Sequence, residues 1–169
     1  TIDAAGRIYE SPLYIVDSPY MKILDLRAIA RRLKTQHDIK IIFIDYITMI
    51  TNENTTIPRH EQIAEISRSL KSLARELEIP IVVLSQVGRV SEGKQPSLAD
   101  LRESGSIEQD ADVVMFLHRE RANTNSQDHK FQPIDTQLIL AKQRNGPTGI
   151  IDLLFFPNYT KFDNQASHS

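Results

Sequence analysis

The 169-residue chain contains no cysteine, which excludes disulfides and thiolate metal sites and agrees with a cytoplasmic location. It has no apolar run of transmembrane length and nothing patterned like a signal peptide. An excess of positive charge is lacking too: 20 Lys and Arg stand against 22 Asp and Glu, for a net charge of -2 and a pI near 6.2. A polyanion would have to be met by a few local cations, because the chain has no basic footprint. Internal repeats and low-complexity tracts are missing. So is a starting Met: the first residue is Thr1, and the expectation is a piece of something longer.

What is present suits one globular domain with a core of useful size, since 40% of residues are hydrophobic and 25% charged. The organising stretch is Ile-Ile-Phe-Ile at 41–44, which ends abruptly in Asp45. A continuous apolar run is the signature of a parallel strand covered on both faces. Ligands of open α/β sheets gather beyond the carboxyl ends of such strands. Asp45 therefore stands where a hard cation, or Mg2+ on a phosphate, finds an oxygen ligand. The plainer reading is an Asp that caps a helix or opens a turn.

Upstream, residues 1–12 are mixed and polar, and Leu-Tyr-Ile-Val at 13–16 predicts a short strand closed by Asp17, Ser18 and Pro19. Ile23, Leu26, Ile29, Ala30 and Leu33 recur at three- and four-residue steps and predict a helix over 23–37. Arg27, Arg31, Arg32 and Lys34 fall on its solvated side. Downstream, residues 51–58 read as an exposed loop. Ile63, Ile66, Leu70, Leu73 and Leu77 form an apolar stripe that predicts a helix over 59–78, ended by Pro80. The strand at 81–84 then terminates in Ser85 and Gln86. Strand, helix and strand in this order imply a right-handed parallel crossover, which brings Gln86 to the same sheet edge as Asp45.

Residues 88–95 match the spacing of a Walker A phosphate loop up to the last position. Gln95 offers no hydroxyl for Mg2+, and Pro96 disfavours a helix starting there, so the match is rejected. Residues 97–112 carry more information. Ser97 can cap a short helix, and Gly105 divides two helical pieces. This stretch is either a charged surface connector or a loop that offers backbone N–H groups and Arg102 to phosphates, with Gly105 permitting close approach. A strand at 113–117 and a polar excursion over 120–133 follow. The strand from 136 ends in Lys142 and Arg144, which share one side because side chains alternate. Residues 145–149 turn the chain into 150–156, a hairpin with a longer loop. The two cations are either solvated or spaced to grip a phosphate from a neighbouring subunit. The segment 158–169 reads as a polar, fraying tail on a single domain over 1–169.

Taken together these stretches resemble the C-terminal motor domain of DnaB-type replicative helicases, a RecA-like ATPase. Residues 41–46 look like its Walker B strand, and Val-Val-Leu-Ser-Gln at 82–86 with Arg89 like its third motif. Residues 98–112 followed by 113–117 look like its fourth motif, and Lys-Gln-Arg-Asn-Gly-Pro-Thr-Gly at 142–149 like its arginine-finger hairpin. The likeness runs from Leu13 to Phe162. It implies a RecA-like α/β fold, a mostly parallel sheet flanked by helices and ending in a β-hairpin, without its first, Walker A strand. It also implies ATP and Mg2+ as cofactors, with Asp45 holding the metal through water and Gln86 sensing the γ-phosphate. Arg144 would act in trans on a neighbour's ATP beside Lys142, and Arg102, Glu103 and Gly105 would line a channel for single-stranded DNA. Implied partners are five further copies in a homohexameric ring, a primase and a helicase loader. The alternative within the same fold is a single-stranded-DNA-binding or regulatory module without helicase activity.

The departures are equally specific. No Gly-x-x-x-x-Gly-Lys-Ser/Thr run occurs in these residues, nor the Glu-bearing motif that supplies the family's general base. Both would precede Thr1, as would a primase-interacting N-terminal domain. The expectation is that this chain alone neither hydrolyses ATP nor unwinds DNA.

Overall fold

Two amphipathic helices close over one short parallel strand pair, because each helix has a single apolar stripe that must leave water. The computed structural model describes residues 2–54, 56–87, 95–119 and 132–165, with the side chains of all of these except 2–4 and 102–104. After an N-terminal helix α1 (Ile2–Tyr9), helix α2 (Ile23–His37) buries Ile23 and Ala30, and helix α3 (Arg59–Leu77) buries Ile63, Ile66, Leu70 and Leu73. Both long helices end in a left-handed residue, Asp38 at φ 48° and Glu78 at φ 55°, which turns the chain towards the strand that follows. Those strands are β1 (Ile42–Ile44) and β2 (Ile81–Val83), paired in parallel with Ile42 opposite Ile81 and Ile44 opposite Val83. Ile23, Ile44, Ile47, Ile50, Ile63, Ile66 and Leu70 form the core between sheet and helices.

Arg27 and Arg31 do more on α2 than face solvent. Both reach Glu76 of α3, Arg31 through Nε at 2.5 Å and Arg27 through Nη2 at 3.2 Å, so they tie the two helices together. Lys34 pairs with Asp38 at 2.7 Å.

The second half is an antiparallel sheet of consecutive strands: β3 (Val113–His118), β4 (Ile134–Gln143), β5 (Gly149–Phe156) and β6 (Lys161–Asn164). A 3-10 turn (Leu98–Ser104) and helix α4 (Gly105–Asp110) lead into it. Leu101, Val114, Phe116 and Ile139 make its core. The α/β class and the closing β4–β5 hairpin hold; among the described residues parallel pairing is confined to β1 and β2, and the larger sheet is antiparallel.

Two expectations need correction. Residues 13–16 belong to no strand. Their β-forming side chains have no ladder partner, and Leu13 and Ile15 remain 60% and 78% exposed; a strand exists only through its neighbours. The fraying tail is interrupted by β6, which pairs Lys161 with Phe156 and Phe162 with Phe155, and the two phenylalanine rings of the latter pair lie 4.8 Å apart. Arg89, the rejected loop at 88–94 and most of the excursion over 120–133 lie outside the described residues. Among the described residues no helix is long and apolar enough to cross a membrane.

Candidate functional site

Asp45 and Gln86 come to one sheet edge because the β1–β2 pairing continues past both strands. The Leu84 N–H donates to the Ile44 carbonyl at 2.9 Å, and the Ile47 N–H donates back to the Leu84 carbonyl at 2.9 Å. Each site residue thus lies within two positions of a fixed backbone bond. Both side chains are exposed. Asp45 borders a cavity of about 690 Å³ with Tyr46, Lys40 and the apolar Leu13, Ile29 and Ile42. Among the described residues no group of three His, Asp or Glu is arranged to cage a metal. A lone exposed carboxylate at a strand end fits Mg2+ held chiefly by water and phosphate oxygens, which is how Mg2+ is usually bound beside nucleotides.

The cations of the hairpin are differently placed from what solvation alone would give. Lys142, near the end of β4, donates its ammonium to the Glu108 carbonyl and, at 3.5 Å, to that of Gln109. Arg144 Nη2 donates to the same Gln109 carbonyl at 2.7 Å. The carbonyl end of α4, where partial negative charge accumulates, therefore receives both. Behind it, the Arg144 N–H donates to the Asp112 carbonyl at 3.0 Å, and Arg144 Nε lies 3.7 Å from Asp112 Oδ1. Asp112 Oδ2 accepts the ammonium of Lys71. The Asp112 carboxyl is held below the usual range mainly by that bond; partial burial opposes the shift, and the charges of Lys71, Arg144 and Arg75 add to it.

Arg144 also lines a second cavity, of about 310 Å³, with Arg68, Lys71, Ser72 and Arg75 of α3 and Gln109 and Asp110 of α4. These α3 cations are not among the sequence-derived candidates. A signal was available, because Arg68, Lys71 and Arg75 recur at three- and four-residue steps off the apolar stripe. Asp112, which pairs with Lys71, is 41 residues from it, a distance that periodicity cannot bridge. Among the described residues the two cavities share no lining residue, so Asp45 and Arg144 line separate cavities.

The expected DNA loop is the 3-10 turn and the start of α4. The Ser97 N–H and hydroxyl both donate to Asp100 Oδ2, at 2.7 and 2.9 Å, which closes the turn. Gly105 begins α4 with φ -51°, and a Cβ there would meet nothing within 4 Å. Its backbone conformation does not demand glycine, and open space lies beside it. Arg102 and Glu103 ride on the turn, with their side chains outside the description.

Known proteins resemble this chain over nearly its whole length. A family model described as the DnaB-like helicase C terminal domain matches residues 1–164. A replicative DNA helicase DnaB of Treponema pallidum (strain Nichols) is 61% identical over 160 residues, covering 95% of this chain and 34% of that protein. The DnaB of Geobacillus stearothermophilus is 44% identical over 165 residues, covering 95% and 36%. The chain thus spans about a third of the length of these relatives. Among solved structures, one described as an ATPase domain superposes with a TM-score of 0.84 at 34% identity, covering 98% of this chain and 59% of that one. A DnaB-like replicative helicase, described with its interactions with primase, also gives 0.84 at 34% identity, covering 98% and 41%.

Proposed function

The chain belongs to the DnaB-like helicase C-terminal domain family, and on that premise we propose that it is the C-terminal part of a replicative helicase motor. In this reading the whole protein couples ATP hydrolysis to movement along single-stranded DNA and to duplex unwinding. The observation that carries the proposal is the separation of Asp45 from Arg144 into cavities without a common residue. A carboxylate for Mg2+ and a cation for the γ-phosphate that line separate cavities of one chain are free to meet across a contact between two copies. Repeated head to tail, such a contact forms a closed ring where its rotation closes; six is the number of copies the family resemblance implies.

Each residue then has a role set by its place. Asp45 would hold Mg2+, and the ion would supply neutralisation of charge on the β- and γ-phosphates. Gln86, on the same edge, donates its amide to the γ-phosphate and loses that partner on hydrolysis. Arg144, with Lys142 beside it, enters the neighbour's site and stabilises the charge that builds up as the phosphoryl group transfers, an effect worth ~10³ to 10⁵ in rate in other nucleotide hydrolases. Arg102, Glu103 and Gly105 meet the sugar-phosphate backbone of single-stranded DNA. Backbone contact positions a strand without reading bases, as a motor indifferent to sequence requires. Primase and a loader are the partners proposed for the full protein.

In the full-length protein, Arg144→Ala abolishes ATP turnover and leaves nucleotide binding largely intact. Retained turnover would favour the other reading, a RecA-like module that holds single-stranded DNA or serves regulation without a motor.

A further inference from the structure

The carboxylate of Asp112 is divided between two cations that come from distant parts of the chain. Oδ2 accepts Lys71 of α3, and Oδ1 faces Arg144 Nε at 3.7 Å. Asp112 also fixes the backbone of Arg144, whose N–H donates to the Asp112 carbonyl at 3.0 Å. Together with the Gln109 carbonyl on Nη2 at 2.7 Å, these contacts occupy one edge of the guanidinium, the edge formed by Nε and Nη2. Nη1 has no hydrogen-bond partner among the described residues, and the Arg144 side chain is 44% exposed.

An arginine beside a turn would otherwise sample many rotamers and lose that freedom on meeting an anion. Here the loss is already incurred: the fork is docked by its Nε and Nη2 edge, and its Nη1 end is left without a hydrogen-bond partner among the described residues. Lys71 matters for a second reason. With Oδ2 turned to Lys71 and Nη2 given to the Gln109 carbonyl, Arg144 faces Asp112 through Nε and Oδ1 alone rather than in the bidentate pair that carboxylate and guanidinium favour. Such a pair would neutralise the arginine on its own chain. Asp112 and Lys71 thus hold the guanidinium without quenching it, and one positive charge is left over from the three groups.

We infer that Asp112 is a positioning residue for Arg144, and that Lys71 sets the Asp112 carboxylate in the orientation that leaves the free end of the guanidinium to a phosphate on a neighbouring copy. The inference rests on the reading that Arg144 acts in trans. It adds two residues that touch neither nucleotide nor DNA yet govern turnover. Preorganised charge is effective in catalysis because nothing has to move when the transition state forms.

The test uses the full-length protein in its assembled form, comparing Asp112→Asn, Asp112→Glu, Lys71→Met, Arg144→Lys and the double variant Asp112→Asn/Arg144→Lys, with Arg144→Ala as reference. Asp112→Asn lowers kcat for ATP roughly tenfold, the size expected for losing one charge-assisted contact in the transition state, while KM stays within about twofold. Lys71→Met shifts kcat in the same direction, and Asp112→Glu recovers part of the loss. In the Arg144→Lys background Asp112→Asn has no further effect, because the ammonium lacks the edge that Asp112 holds. Wild-type kcat in Asp112→Asn overturns the inference, as does a kcat loss that adds in full to that of Arg144→Lys, or a change confined to KM. Should Asp112→Asn fail to fold or assemble, Lys71→Met carries the same comparison. If Arg144→Ala itself turns over normally, the trans reading falls and this inference with it; if Arg144→Ala is inactive and Asp112→Asn is not, only the inference falls.

Discussion

Glu76 of α3 accepts Arg31 of α2 in a two-pronged pair, from Nε at 2.5 Å and from Nη2 at 3.0 Å. Arg27, one turn earlier on α2, adds a third bond to the same carboxylate. The clamp lies on the surface, so salt and solvent screen it, but it sets the register of the helix pair behind Asp45. The bond from Arg31 is the main reason the Glu76 carboxyl is lowered from 4.5 to about 2. A depressed carboxyl contributes stability above its unfolded value and loses that contribution as pH falls through the folded one. The thermal midpoint of Glu76→Gln therefore lies below wild type at neutral pH, and the gap closes between pH 4.5 and about 2. A gap that does not change across that window would contradict the assignment.

Ile66 and Leu73 are completely buried on the apolar stripe of α3. Ile66→Ala removes methyl groups from a site that packed helices cannot refill, and costs ~2–5 kcal/mol by denaturant unfolding. A loss under ~1 kcal/mol would mean that the helix does not sit on the sheet as described.

These elements are legible in the sequence to different degrees. Helices α2 and α3 follow directly from apolar residues at three- and four-residue steps, and the observed bounds Ile23–His37 and Arg59–Leu77 differ from expectation by at most one residue. The β4–β5 hairpin is legible because Asn145, Gly146, Pro147 and Gly149 interrupt two apolar runs. Residues 13–16 mislead because β propensity records what a side chain tolerates, not whether a partner strand is present. Helix α1 carries apolar residues at helical spacing, Ile2, Ala5, Ile8 and Tyr9, but over only eight residues, and Ile8 and Tyr9 stay exposed. At the candidate site, Asp45, Gln86, Lys142 and Arg144 stand out by their position at strand ends. Asp112 and Lys71 do not, since an ion pair between α3 and the start of β3 exists only after the chain has folded.

Asp45→Asn preserves the shape of the β1 edge and removes the charge proposed to hold Mg2+. Mg2+-dependent ATP turnover of the full-length protein falls by ~100-fold or more, since the ion's neutralisation of phosphate charge is worth several kcal/mol. Thermal unfolding is little changed, as befits an exposed side chain. Turnover within ~3-fold of wild type, less than one kcal/mol in barrier, would remove Asp45 from the metal site.

The 169 residues contain no phosphate-loop sequence, and the near match at 88–95 ends in Gln95 followed by Pro96. Produced as this chain alone, the protein shows no Mg2+-dependent release of phosphate from ATP above a buffer blank. Steady turnover that is lost in Asp45→Asn would show that the chain carries a complete site.

The central claim is that Asp45 of one copy and Arg144 of the next build a shared site, and mixing variants tests it most directly. Full-length Asp45→Asn and Arg144→Ala are each inactive alone. Assembled together, a copy that keeps Asp45 sits beside one that keeps Arg144 at some contacts, and those contacts are whole. The account predicts ATP turnover in the mixed assembly clearly above that of either variant by itself. Mixed assemblies as inactive as the separate variants would contradict it, and would return Arg144 to a role within its own chain.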